Sequence, residues 1–187
     1  MATLIYAANM SLDGYTETRT GAFDWAEHDP AVFAFTTEIM RSAGTYLYGR
    51  RMYETMAVWE TDPSLGARSE LLARFADAWK AADKIVHSST LASVPTARTR
   101  IERRFDASAV RKLVASSSRD VLVGGPHLAA QAFEAGLAID CHLIVWPVVL
   151  GGRNPALPTF GRVDLELVKH ERIGDGVVHL HYRTRSA

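Results

Sequence analysis

Apolar residues along the chain fall into short dense runs alternating with stretches that keep helical spacing. "TLIYAAN" (3–9), "TYLYG" (45–49), "DKIVHSST" (83–90), "DVLVGG" (120–125) and "AIDCHLIVWPVVLGG" (138–152) have strand length. Runs that are apolar almost throughout predict strands covered on both faces, as in a parallel sheet. The last is predicted to be the longest strand, ending at Gly151–Gly152. "TRIERR" (99–104) is a short strand whose charges suit a sheet edge.

Helices are predicted between these runs. "DPAVFAFTTEIMRSAG" (29–44) has Asp29 as N-cap, Pro30 in the first turn and a stop at Gly44, with Val32, Phe35, Ile39 and Met40 at helical spacing. "RRMYETMAVW" (50–59) is a short helix, and "ELLARFADAWKAA" (70–82) carries Leu71, Leu72, Phe75 and Trp79 on one stripe. "DASAVRKLVASS" is capped by Asp106, and "PHLAAQAFEAG" follows the strand "DVLVGG" directly. The tail, "LELVKHERIGDGVVHLHYR", alternates on either side of Gly174-Asp175-Gly176, a hairpin signal. "MSLDGYTETRTGAFDW" (10–25) has no such pattern and is predicted to be a long loop, the kind that is usually functional or mobile. Alternating strands and helices predict an α/β fold with a mostly parallel sheet and an antiparallel C-terminal ribbon.

Composition narrows the function classes. The 187 residues are 48% hydrophobic, enough for one domain with a real core, and no linker or repeat divides them. Twenty-one basic residues balance twenty-one acidic ones, so nothing favours a nucleic-acid or membrane surface. The single cysteine, Cys141, permits no internal disulfide and no Cys-based zinc site, and a place inside a hydrophobic strand suits a packed side chain better than a nucleophile. With no leader pattern and no spanning segment, the expected compartment is the cytoplasm.

Two junctions offer chemistry. In "VLVGGPHLAAQ" a strand stops at Gly124-Gly125 and a helix starts at Pro126, which exposes backbone N–H groups and the positive helix end to an anion. Close helix–strand packing would account for the same glycines. "LYGRRMYE" is a second strand-to-helix junction, with Gly49, Arg50 and Arg51, and reads either as a solvated turn or as an anion seat. Both would open at the carboxyl ends of parallel strands, where ligands bind in open α/β sheets. The hydroxyls of Ser88, Ser89 and Thr90 would lie in the same plane, or make an ordinary turn. His179 and His181 share a strand face but lack a visible third ligand and read as ordinary strand residues. Asp24, Glu27 and His28 near Trp25 read as loop decoration or pocket rim.

"NMSLDG", "YGRRMYE", "VGGPHLAAQAFEAGLAID" and "PVVLGG", in this order, resemble the dihydrofolate reductase superfamily, in the branch of the reductase domain of the bifunctional riboflavin-biosynthesis deaminase-reductase. The resemblance covers residues 3–183. It implies a dihydrofolate reductase-like fold, with helices on both faces of the sheet, and an NADPH-dependent reductase. It places Gly49, Arg50 and Arg51 at the phosphates, one arginine also at the ribose 2′-phosphate. Ser88 and Ser89 fall by the adenosine ribose, and Gly124, Gly125, Pro126, His127 and Leu128 at the pyrophosphate. Ala7 and Ala8, with Asp13 and Gly14, would border the nicotinamide beneath a closing loop.

Three departures matter. Phe33 stands where true dihydrofolate reductases carry the acid that pairs with the pteridine, so folate is not the expected substrate. "SSTL" lacks the arginine that relatives often carry there, which leaves cofactor choice to Arg50 and Arg51. Asp140-Cys141 replaces an Asp-Glu pair. The expected function is hydride transfer from NADPH to a small heterocyclic or carbonyl substrate, with Asp13 the polar group nearest the chemistry and Trp25, Phe33, Tyr53 and Trp146 as pocket wall. The alternatives are a reductase for a ribosylated aminouracil, with Arg153 taking its phosphate, and a non-catalytic nucleotide-binding regulator. The resemblance also implies a homodimer.

Overall fold

A computed structural model of the protein describes residues 2–26 and 29–185. The strands are β1 (Leu4–Ser11), β2 (Tyr15–Glu17), β3 (Ala43–Gly49), β4 (Asp83–His87), β5 (Thr99–Glu102), β6 (Asp120–Gly124), β7 (Ile139–Trp146), β8 (Arg153–Pro155), β9 (Leu165–Arg172) and β10 (Val178–Thr184). The helices are α1 (Pro30–Ser42), α2 (Arg50–Thr61), α3 (Pro63–Ala67), α4 (Glu70–Ala81), α5 (Ala107–Ser116) and α6 (Pro126–Glu134). Eight strands form one sheet in the order β5-β4-β3-β6-β1-β7-β10-β9. All pairings from β5 to β7 are parallel, and β10 runs antiparallel to both β7 and β9.

Local chemistry sets the helix starts. The Asp29 carboxylate accepts from the N–H groups of Ala31 and Val32 at the head of α1, and Asp106 does the same for Ser108 and Ala109 at α5. Asp62 and Pro63 start α3, a single turn between α2 and α4 that the periodicity did not predict because it is too short to show a stripe. The second Asp29 oxygen accepts from Asp175 N at 3.0 Å, which ties the β9–β10 turn to α1. β5 is an edge strand, as its charges predicted.

Successive strand residues face opposite ways, so each strand supplies two cores. Leu4, Tyr6, Leu47, Ile85, Val121 and Val123 pack under α5 and α6. Ile5, Tyr46, Tyr48, Val86 and Leu122 pack against α1, α2 and α4, with Trp79 completely buried among them. Burying each such large side chain stabilises the fold by about 1.5–3 kcal/mol.

Two expectations are corrected. β7 stops at Trp146 instead of running to Gly151–Gly152. Pro147 has no N–H to continue the ladder, and the chain returns as β8. The stretch 10–25 is not all loop, because β1 extends to Ser11 and Tyr15–Glu17 forms β2, paired antiparallel with β8. Gly152 permits that pairing, since a Cβ there would collide with the Glu17 carbonyl. No helix among the described residues is long and apolar enough to cross a membrane.

Candidate active site

Register brings the two junctions together. Gly49 aligns with His87 across β3 and β4, and Tyr48 with Gly124 across β3 and β6, so three parallel strands end side by side. Gly49 is the N-cap of α2 and Gly125 that of α6, and neither supplies a side-chain cap. The free N–H groups of both helices therefore open on one surface. A Cβ on Gly124 or on Gly125 would lie 3.5 Å from the side chain of Met52, in the first turn of α2, so the junctions adjoin.

The three glycines have different reasons to be there. Gly124 is required by packing, since a Cβ would meet Tyr48 Cε1 at 2.5 Å. Gly125 is required by its backbone, at φ +90°. At Gly49 a Cβ would meet nothing within 4 Å among the described residues and φ is −75°, so neither their packing nor the backbone conformation demands a glycine. Arg50 and Arg51 occupy the first turn of α2, where cations oppose the helix dipole. Open space at Gly49, uncapped N–H groups and misplaced cations fit a bound anion.

The arginines are not equally available. Arg50 Nε donates to Glu54 at 2.7 Å and its Nη1 to Thr90 Oγ1 at 3.2 Å. Arg51 pairs with Glu17 of β2 at 2.8 Å, and Arg153 of β8 pairs with the other Glu17 oxygen at 3.1 Å. Partial burial would raise the Glu17 carboxyl, but the hydrogen bonds from Arg153 and Arg51 outweigh it and hold it below the usual range. Ser88 Oγ accepts from the N–H groups of Thr90 and Leu91, so the Ser88–Leu91 turn is self-capped while Ser89 is exposed. Pro126 opens α6, His127 contacts Asn154 Oδ1 through Nε2 at 3.2 Å, and Leu128 is buried in the α5–α6 core.

Other predicted residues separate. Ala7 belongs to the α1 side of the sheet, whereas Ala8 packs in the opposite core. The Asp13 carboxylate accepts from Leu150 N at 3.1 Å and Gly151 N at 2.7 Å. The nearby Ser11 hydroxyl and these amides hold it below the usual carboxyl range. Gly14, at φ +89°, turns the chain, and its carbonyl accepts from Ala156 N. Trp25 and Trp146 do meet, edge to face at 6.3 Å between centroids, and the Trp25 indole N–H is buried without a partner among the described residues. Phe33 packs on Phe75 and Trp59, and the buried Tyr53 shares a hydrogen bond with Thr96, so both belong to the α2–α4 core. Asp24 is exposed in a short turn of helix beside Trp25, while Glu27 and His28 lie outside the described residues.

Sequence reasoning missed two features on this face. Asn9 Oδ1 accepts from the Trp146 indole at 3.0 Å, a β1–β7 contact that only register reveals. His142 joins His179 and His181 in a ladder, with near-parallel rings and centroids 4.2–6.3 Å apart. His142 Nδ1 and His179 Nε2 share a hydrogen bond at 3.0 Å, and among the described residues no cluster could hold a metal ion. Cys141, beside the ladder, is buried, and burial pushes its thiol up to about 12, as a packed side chain requires.

The family model for the RibD C-terminal domain matches residues 2–179. The chain belongs to this family. The uncharacterized protein YyaP of Bacillus subtilis (strain 168) is 28% identical over 181 residues, covering 92% of this chain and 90% of that one. A protein of Shewanella sp. PV-4 assigned to riboflavin biosynthesis superposes with a TM-score of 0.76 at 19% identity, over 99% of both chains. Acinetobacter baumannii RibD superposes with a TM-score of 0.68 at 14% identity, covering 99% of this chain but 58% of that one. A deaminase/5-amino-6-(5-phosphoribosylamino)uracil reductase of Thermotoga maritima gives 0.64 at 11%, over 98% and 57% respectively. The RibD-family fold is thus the dihydrofolate reductase-like one that the motifs implied, and it is of reductase type.

Proposed function

We propose that this RibD-family protein is an NADPH-dependent reductase acting on a small heterocyclic or carbonyl substrate. One observation carries the reading: two uncapped helix N-termini adjoin at neighbouring strand ends, beside a glycine that no contact among the described residues requires. A dinucleotide pyrophosphate suits that arrangement. The chain is of reductase-type family, and dinucleotide binding is the chemistry such a surface would serve.

The backbone N–H groups of Gly49–Arg51 and Gly124–Leu128 would hold the pyrophosphate, and Ser88 and Ser89 would lie by the adenosine ribose. The cofactor would supply the hydride. Ala7, on the α1 side of β1, leaves a small side chain where a nicotinamide ring would approach. Asn9 fixes the Trp146 indole, and Trp25 closes on it, so the aromatic pair would exclude water. Asp13 acts by positioning: its carboxylate clamps the Leu150–Gly151 backbone and so holds the start of the 10–25 segment in place.

The test is to titrate the purified protein with NADPH by fluorescence. Saturable binding at about micromolar Kd or tighter, roughly −8 kcal/mol, is expected. Absence of binding refutes the reading, and binding without NADPH oxidation across a panel of carbonyl and heterocyclic acceptors refutes the enzymatic part of it.

A further inference from the structure

The Ser88–Leu91 turn has a cationic neighbour that does not belong to either junction. Arg103 is the first residue after β5, and β5 runs parallel to β4, with Ser88 N donating to Glu102 O at 2.9 Å. From there Arg103 Nη1 donates to two carbonyls of the turn, Leu91 O at 2.7 Å and Ser88 O at 3.3 Å. These bonds fix the guanidinium against the turn and leave its Nε–Nη2 edge without a partner among the described residues. That edge is the one that grips a phosphate with two parallel bonds.

Charge balance distinguishes Arg103 from its neighbours. Arg50 is paired with Glu54, Arg51 with Glu17, Arg98 with Asp83 and Arg100 with Glu102. Arg103 makes no ion pair among the described residues. Arg104 makes none either, but it lines a groove of about 170 Å³ beside α5 with Asp106 and Ala109 and donates to no carbonyl of the turn among the described residues. Arg50 approaches the turn from its other side through Thr90 Oγ1. Exposed Ser89 therefore lies in a turn contacted by two guanidinium groups, of which only Arg103 is free of a carboxylate.

We propose that Arg103, with Arg50, recognises the phosphomonoester on the adenosine ribose of the dinucleotide, and that Arg51 does not. The proposal rests on the dinucleotide reading above and assigns the discriminating group within it. A guanidinium from the end of β5 thus takes the place of the arginine that "SSTL" lacks, and Arg51 is reserved for the bridge to β2.

The test compares NADPH and NADH affinities of the full chain with those of three variants. Arg103→Gln keeps a donor for the turn carbonyls but removes the charge; it is expected to weaken NADPH about 10-fold or more and to leave NADH within about twofold. Arg103→Lys is expected to recover part of the NADPH affinity, and Arg51→Gln to leave the NADPH/NADH ratio unchanged. Equal losses for both dinucleotides in Arg103→Gln, or an unchanged NADPH affinity, overturns the proposal. So does a wild-type protein that binds both dinucleotides equally or prefers NADH. A wild-type protein that binds neither removes the dinucleotide reading itself, which distinguishes the two failures.

Discussion

Arg51 and Glu17 meet at 2.8 Å, joining the first turn of α2 to β2. With Arg153 on the second oxygen, Glu17 links the start of α2, the 10–25 segment and β8 through one carboxylate. Replacing Glu17 with Gln is expected to cost about 1 kcal/mol or less, because both arginines are half exposed. Its larger effect should be local: amide exchange across 12–20 should accelerate in Glu17→Gln with little change elsewhere. Uniform exchange across the chain would refute the link.

The glycines of the two junctions should separate stability from binding. Gly124→Ala drives a methyl into the Tyr48 ring and should destabilise by about 1–3 kcal/mol. Gly49→Ala meets open space at an ordinary φ and should leave stability within about 1 kcal/mol. It should nevertheless weaken NADPH, because the methyl projects where phosphate would approach. Urea denaturation and the NADPH titration together check both statements, and a Gly49→Ala protein of unchanged affinity would contradict the placement.

The histidine ladder predicts acid sensitivity. Burial, then the neighbouring His181 and His179, push the His142 imidazole down to about 4, and burial also lowers His179. Glu171 and Lys169 of β9, Asp140 of β7 and Arg183 of β10 face the same cluster. An unfolded histidine titrates at about 6.5, so between pH 6.5 and 4 the unfolded chain binds more protons. Stability is then full above about pH 6.5 and falls as pH drops, by about 1.4 kcal/mol per unit for each such proton. His142→Phe should flatten the slope by roughly one proton's worth over that window. Identical slopes in urea denaturation at matched pH values would exclude the ladder as the cause.

Lys84 is buried at 1% exposure, with Nζ 4.3 Å above the Trp79 ring, 3.3 Å from the Trp79 carbonyl and 3.7 Å from Glu60. Burial lowers its pKa against the pull of Glu60. Removing either partner should destabilise, and removing Glu60 more: Glu60→Ala is expected to cost about 3 kcal/mol, and Lys84→Met less, because a Glu60 left alone is one-fifth exposed and keeps the Ala97 N–H. Chemical denaturation of the two variants decides it, with the reverse order counting against the account.

What could be read from the chain alone was what lies close in sequence. The Asp29 and Asp106 caps, the hairpin around Gly174–Gly176 and the charged edge strand each depend on a few consecutive residues. Both junctions were visible because strand, glycine and helix follow one another. What register decides was hidden. His142 reaches His179 and His181 only through the β7–β10 pairing, and Arg103 reaches the Ser88 turn only because β5 lies beside β4. β2 and β8 are three residues each, too short for an alternation to show, and lie far apart in the chain.

β1 leaves the ribosome well before β6 and β7, the two strands it pairs with in the main sheet. Until residues 120–146 have been synthesised, an apolar strand has bare edges on both sides. Sheet closure therefore comes late in translation, and it comes slowly, because distant segments must meet before any contact rewards them. Through that interval the nascent chain exposes its centre, so yield of the protein in cells should depend more on chaperone supply than its finished stability would suggest.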